Sequence, residues 1–288
     1  MSPSIPYSAE QDDLFYPCKR GEFFPAGKPE SEGALCAEMA RLAYCKQESS
    51  FAFDRGKIQN VLRDVGFADC KFFESTRHPT GKGIHCFITT SDDKQMVVVA
   101  FRGTDKDDLN DWGFDLNAIP KQWKNRGHVH SGFADGLDEV LDQLEPELTP
   151  VKTRKLFTGH SLGAALATLL ASMQAPVSLY TFGSPQVGDA DFVANLQRVE
   201  NHRFVDCKDL VTRLPKVFGY VHVGKPYYID RGRRITFDPS RVFMLADGIC
   251  ADLAYAIKYA WKPGKVKLRE LADHAPINYV WAIPADQS

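Results

Sequence analysis

Hydrophobic positions along the chain change their period repeatedly, and each change marks an element. Over residues 32–45, Leu35, Met39, Leu42 and Ala43 recur at helical spacing, which predicts an amphipathic helix. Residues 95–101 form a short, continuous, β-branched run, the pattern of a strand buried on both faces of a parallel sheet. Residues 133–148 place Leu137, Val140, Leu141 and Leu144 on one side of a helix. Residues 154–158 then read as a strand, 159–163 as a sharp turn, and the Ala/Leu-rich stretch to about 173 as a helix. A strand is predicted at 177–182, a helix at 189–199 and a third strand at 202–205. This alternation predicts an α/β fold with a mostly parallel sheet covered on both faces. Residues 220–237 are strand-rich and broken at Gly224, Pro226 and Gly232, as expected of a hairpin at one edge. Helical character returns over 242–261. Residues 1–30 carry five prolines and little periodicity, and read as an arm draped on the rest. No repeat or linker interrupts the pattern, so one domain over 1–288 is expected.

Composition narrows the class of protein. Apolar residues make up 44% and charged residues 25%, which excludes intrinsic disorder of the whole chain. A net charge of −2 leaves no basic field, and no nucleic-acid partner is expected. The seven cysteines are scattered, with no metal-ligand spacing, and are expected to be mostly reduced, structural thiols. The first residues lack the charged and apolar regions of a signal peptide, and no apolar run is long enough to span a bilayer. A cytoplasmic protein is therefore the default expectation, with signal-less export as the alternative.

The strongest chemical signal is Gly159-His160-Ser161-Leu162-Gly163, which fits G-x-S-x-G between a predicted strand and a predicted small-residue helix. A serine in such a turn is exposed at the carboxyl edge of the sheet. The helix N-terminus beside it brings partial positive charge, and the Leu162 N–H is placed to hold an oxyanion. The alternative is a glycine-rich turn with an incidental serine. Gly103-Thr104 leaves the buried strand at 95–101, where Thr104 is a candidate second oxyanion donor, or merely part of a turn. Residues 105–116 mix acids with Leu109, Trp112 and Phe114, and read as a lid over a cleft or as an ordinary packed loop. A serine nucleophile needs a base and an orienting carboxylate. Downstream histidines are His202, His222 and His274, of which His274 lies in a late loop suited to a base. Asp206 and Asp209 both follow the third strand, and spacing separates them only weakly.

Taken together these residues resemble the class 3 lipases, the fungal-lipase-like α/β-hydrolases. The resemblance runs over about residues 33–279. It comprises A-F-R-G-T at 100–104, H-S-G-F at 130–133, G-H-S-L-G at 159–163 and F-G-S-P-Q-V-G at 182–188, then D-L-V-T-R-L-P at 209–215, G-Y-V-H-V-G at 219–224 and Asp273-His274. It implies an α/β-hydrolase fold and a serine hydrolase acting on lipid esters, without metal or organic cofactor. It assigns Ser161 as nucleophile, Asp209 as acid and His274 as base, with Thr104 and Leu162 as oxyanion residues. His222 and His130 then fall at positions outside the triad. Residues 105–116 fall at the lid, and Asp115 resembles a carboxylate that steadies the oxyanion residue. A triacylglycerol lipase or carboxylesterase is the reading this supports. A phospholipase A1, a short-chain esterase or a catalytically silent lipid-binding module are the alternatives.

Two departures matter. The fungal members are secreted and disulfide-bonded, and neither sign is legible here. After Asp238 nothing matches until Asp273. Within that gap Val242, Leu245, Ile249, Leu253, Ile257 and Trp261 form an apolar series with Lys258 and Lys262 nearby. A packed core helix is the expected reading, because aliphatic stripes at helical spacing usually face a core. A helix resting on a lipid interface or lining the acyl cleft is the other.

Overall fold

A computed structural model describes residues 7–20, 22–47, 50–75, 83–104, 119–175, 177–215 and 219–284. Its centre is an eight-stranded sheet with spatial order β1 (Asp69–Glu74), β2 (His85–Thr90), β3 (Met96–Phe101), β6 (Arg154–His160), β7 (Val177–Phe182), β9 (Val199–Asp206), β11 (Pro226–Ile229) and β12 (Ile235–Phe237). Strands β3, β6, β7, β9 and β11 run parallel, while β1, β2 and β12 join antiparallel at the edges. A small antiparallel sheet gathers β4 (Pro120–Gln122), β5 (His128–His130), β8 (Gly188–Asp189) and β10 (Tyr220–Val221).

The continuous apolar run becomes β3 for the reason its pattern suggests. Val97, Val99 and Phe101 face one layer together with Phe157, while Val98, Ala100 and Leu156 face the other. Burying such side chains stabilises the fold by about 1.5–3 kcal/mol each. The first layer holds α4 (Ser131–Leu148) and α5 (Leu162–Gln174). The second holds α2 (Glu32–Leu42), with α3 (Arg55–Asp64) beside it. Ser31 caps α2 by accepting from Ala34 N–H, and Thr158 in β6 donates to the Cys36 carbonyl at 3.1 Å.

The arm folds onto the far end of the chain. It contains α1 (Gln11–Phe15), and Ser8 exchanges two backbone hydrogen bonds with the Asn278 side chain of α9 (Pro276–Ala282), at 2.9 and 2.8 Å. A Cys18–Cys45 disulfide ties the arm to the end of α2, with the Cα atoms 5.1 Å apart. Cys36, Cys70, Cys86, Cys207 and Cys250 are free, so the expectation of reduced thiols holds for these five and fails for this pair.

Three elements differ from expectation. Of the helix predicted over 189–199, only α6 (Ala190–Ala194) forms. Asp189 caps it, and the chain turns at Asn195 because Val199 already pairs with Val177 in the sheet. Strand β9 is correspondingly longer than the segment 202–205. The third is α7 (Arg241–Lys258), which forms as predicted but is turned inside out. Its buried residues are Asp247, Gly248, Ala251 and Tyr255, while Val242, Leu245, Ile249, Leu253 and Ile257 are 62–78% exposed. Polar anchors decide the orientation. Asp247 accepts from Tyr228 Oη at 3.0 Å and from the Arg231 amide at 3.0 Å, and Asp252 pairs with Lys208 at 2.6 Å.

Candidate active site

Strand β6 ends at His160, α5 begins at Leu162, and Ser161 takes the turn between them at φ +58° and ψ −125°. A residue with a Cβ at such an angle stores strain of about 1–3 kcal/mol, which the surroundings must hold. The Ser161 N–H does so by donating to the Phe182 carbonyl of β7 at 3.0 Å. The glycines allow the close approach. A Cβ on Gly159 would run into the Gly163 carbonyl, and one on Gly163 into the Phe101 carbonyl at the end of β3. The elbow is thus wedged among three parallel strand ends, at the carboxyl edge where α/β sheets place their sites.

His274 lies between α8 (Arg269–Ala272) and α9. Its Nε2 is 3.0 Å from Ser161 Oγ, and its Nδ1 is 3.0 and 2.9 Å from the two Asp209 carboxylate oxygens. Ser161, Asp209 and His274 are each at most 4% exposed. The three residues expected to act together are therefore in one hydrogen-bonded line. Asp209 is oriented in turn by the Val211 amide at 2.9 Å and by the Tyr279 hydroxyl, which donates to Oδ2 at 2.5 Å. Burial and the Asp209 charge push the Tyr279 hydroxyl well above the ordinary tyrosine range, so it stays a donor.

His274 is held from its backbone as well. His160 Nε2 is 2.7 Å from the His274 carbonyl, which can only accept, so that nitrogen carries the proton. Nδ1 then accepts from Tyr44 Oη at 2.8 Å. Burial, reinforced by His274, lowers the His160 pKa well below the usual range and keeps the ring neutral. Asp273, beside His274, accepts from Tyr7 Oη at 2.6 Å, the Lys208 amide at 2.9 Å and Arg269 Nε at 3.0 Å. The arm, the turn after β9 and α8 all converge there.

The other candidates separate cleanly. Asp206 faces Arg233 at 2.6 Å instead of the imidazole, and burial pushes its carboxyl up to about 7. His202 stacks on Tyr180 and lies 3.2 Å from Glu200. His222 donates to the Thr212 carbonyl at 2.7 Å and so braces the turn carrying Asp209; burial and Arg203 push it down to about 3. His130 caps α4 through Gly132 N–H at 3.0 Å and stacks on Phe133.

Leu162 is the first residue of α5, where amides have no intrahelical partner. Thr104 follows the end of β3, and its Oγ1 is buried without a hydrogen-bond partner among the described residues. A buried hydroxyl left unpaired costs about 1–3 kcal/mol, which an incoming oxygen would recover. Leu109, Trp112, Phe114 and Asp115 lie outside the described residues, as does the segment 105–116. Sequence reading missed Tyr279 and Tyr44. Neither sits in a local pattern that marks it, because each reaches the site from another layer of the fold. A surface hollow of about 550 Å³ lined by Thr153, Arg154 and Val177 lies at the opposite strand ends, away from this chemistry.

Residues 98–219 match the family described as Lipase (class 3). The secreted mono- and diacylglycerol lipase 1 of Fusarium solani is 34% identical over 168 residues, covering 53% of this chain and 50% of that one. The triacylglycerol lipase OBL1 of Arabidopsis thaliana is 26% identical over 252 residues, covering 65% and 48%. The chain spans about half the length of these curated relatives. A solved triacylglycerol lipase, described as having a serine protease triad for its catalytic centre, is similar in fold with a TM-score of 0.59 at 22% identity, covering 84% of this chain and 91% of that one. The strand order and the strained serine fit that match: over residues 98–219 the chain is similar to the class 3 lipases, and in fold it is similar to a solved triacylglycerol lipase.

Proposed function

We propose that this chain hydrolyses carboxylic ester bonds of lipids through an acyl-enzyme on Ser161. The observation that carries this reading is the unbroken line from Asp209 through His274 to Ser161 at the strained elbow. Ser161 Oγ attacks the ester carbonyl while His274 Nε2 takes its proton, and Asp209 holds the imidazole in the tautomer this requires. The Leu162 amide and Thr104 receive the developing oxyanion. His274 returns the proton to the leaving alcohol, then activates water to release the fatty acid. Among lipid esters, acylglycerols are favoured, since the two relatives above are named for mono-, di- and triacylglycerols. The Thr104 hydroxyl, unpartnered among the described residues, and the hydrogen-bonded line of Asp209, His274 and Ser161 weigh against a silent binding module.

The test is hydrolysis of p-nitrophenyl esters from short to long acyl chains by the native chain and Ser161→Ala side by side. Activity that peaks at medium or long chains and vanishes in the variant supports the reading. Full activity in Ser161→Ala overturns it. The Cys18–Cys45 disulfide fits an oxidising compartment better than the cytoplasmic default. Intact mass after thiol alkylation of denatured, unreduced protein should show five labels.

A further inference from the structure

The outward face of α7 lacks the polar residues that a solvent-facing helix carries. Val242, Leu245, Ile249, Leu253, Ile257 and, just past the helix, Trp261 are 62–87% exposed and recur at three- and four-residue spacing. The helix is 18 residues long, so the stripe extends about 27 Å. A contiguous apolar face of that size marks a docking surface.

Its surroundings say what docks. Residues 241–268 hold five cations against two acids; Lys265 pairs with Glu10 of the arm, which leaves Arg241, Lys258, Lys262 and Lys267. Both acids are already used inward, Asp247 by Arg231 and Asp252 by Lys208. The segment therefore presents positive charge beside the apolar stripe, although the whole chain is net negative. Trp261, 87% exposed, stands next to Lys262 at the end of the stripe. Apolar face, flanking lysines and a terminal tryptophan are the features of a helix lying in an anionic lipid interface.

Its position ties the stripe to the chemistry. Lys208, one residue before Asp209, pairs with Asp252 of α7 and lies 3.6 Å from Glu270 of α8. The Leu210 amide donates to the Glu270 carbonyl at 3.3 Å. Leu268 and Leu271, 58% and 38% exposed, continue the apolar surface along the segment that leads into His274. The helix lies outside residues 98–219, the part matched to the family.

We propose that α7 is an interfacial anchor that lays the protein on a bilayer surface containing anionic phospholipids, with the active site facing the lipid phase. This rests on lipid esters being the substrate. The test is co-sedimentation of the full chain carrying Ser161→Ala, so that vesicles stay intact, with phosphatidylcholine vesicles prepared with and without phosphatidylserine. The protein should pellet with the phosphatidylserine vesicles. Ile249→Glu/Leu253→Glu should weaken that binding at least about tenfold, and Lys258→Gln and Lys262→Gln about fivefold each. A polarity-sensitive dye on the exposed Cys250 should shift to the blue on binding; burial pushes the Cys70 thiol up to about 12, which leaves Cys250 the faster to react.

With Ser161 restored, Ile249→Glu/Leu253→Glu should hydrolyse p-nitrophenyl butyrate in solution as the native chain does, but lose activity on lipid vesicles. Failure of the unmodified helix to pellet, or equal pelleting of the glutamate variant, overturns the proposal. So does a dimer that the glutamate pair converts to monomer without any vesicle binding, which would mean a second copy covers the face. Vesicle binding without hydrolysis of any ester by the native chain would keep the anchor and remove the proposed enzyme activity instead.

Discussion

Helices α5 and α7 are both rich in apolar residues, α5 nearly all round and α7 in a stripe, yet the fold uses them in opposite ways. Every residue of α5 from Gly163 to Ser172 is buried, between the sheet and α4. In α7 Asp247, Gly248, Ala251 and Tyr255 are inside and the large aliphatic residues outside. The first helix supports a strained turn, and its packing supplies the energy that keeps Ser161 at φ +58°. The second is attached by Asp247, Asp252 and Tyr255, through hydrogen bonds and two ion pairs. A helical stripe therefore reports that a face will be covered, but not by what.

The contrast is sharpened most by removing what α5 supports. Ser161→Ala should lower turnover of any ester by about 10⁶-fold with little change in melting, read by steady-state kinetics. Packing comes next. Leu169→Ala in α5 should cost about 2–5 kcal/mol in urea unfolding, whereas Leu253→Ser in α7 should stay within about 0.5 kcal/mol. Equal costs at the two sites would end the comparison.

The polar bracing of the inner region gives smaller effects. Tyr279→Phe removes the hydrogen bond to Asp209 and leaves the Asp206 amide without its acceptor. It should lower kcat on a soluble ester by about tenfold or more while KM is kept, since a hydrogen bond to a charged group contributes about 1.5–3 kcal/mol. An unchanged kcat would remove Tyr279 from the positioning of the acid. The smallest effect is one of pH. The unfolded chain protonates His222 near its ordinary value of 6.5, while the folded site refuses the proton until about 3. Stability is therefore lost as pH falls through that window and is unaffected above it. His222→Gln keeps a donor for the Thr212 carbonyl, and its melting temperature should fall less steeply between pH 7 and 5 than that of the native chain.

Much of the site was legible because its parts are local. G-H-S-L-G encodes a strand–turn–helix whose glycines are required by backbone approach within a few residues. The run at 96–101 announces a strand buried on both faces by its composition alone. The choice between Asp206 and Asp209 was not local. It depends on which carboxylate a turn after β9 points at an imidazole 65 residues away, and the spacing of the two acids could not decide it. Tyr44 and Tyr279 were illegible for the same reason. Their hydroxyls act across layers, Tyr44 on a ring 116 residues away.

The sequence by itself determined the alternation of strands and helices, the elbow and the presence of a helix at 241–258, because these follow from short-range sterics and periodicity. Only the tertiary structure decided the facing of that helix, the hydrogen-bonded line of Asp209, His274 and Ser161, and the Cys18–Cys45 link. Each of these depends on burial and on partners distant in sequence, and an amino-acid pattern contains neither until the chain has closed on itself.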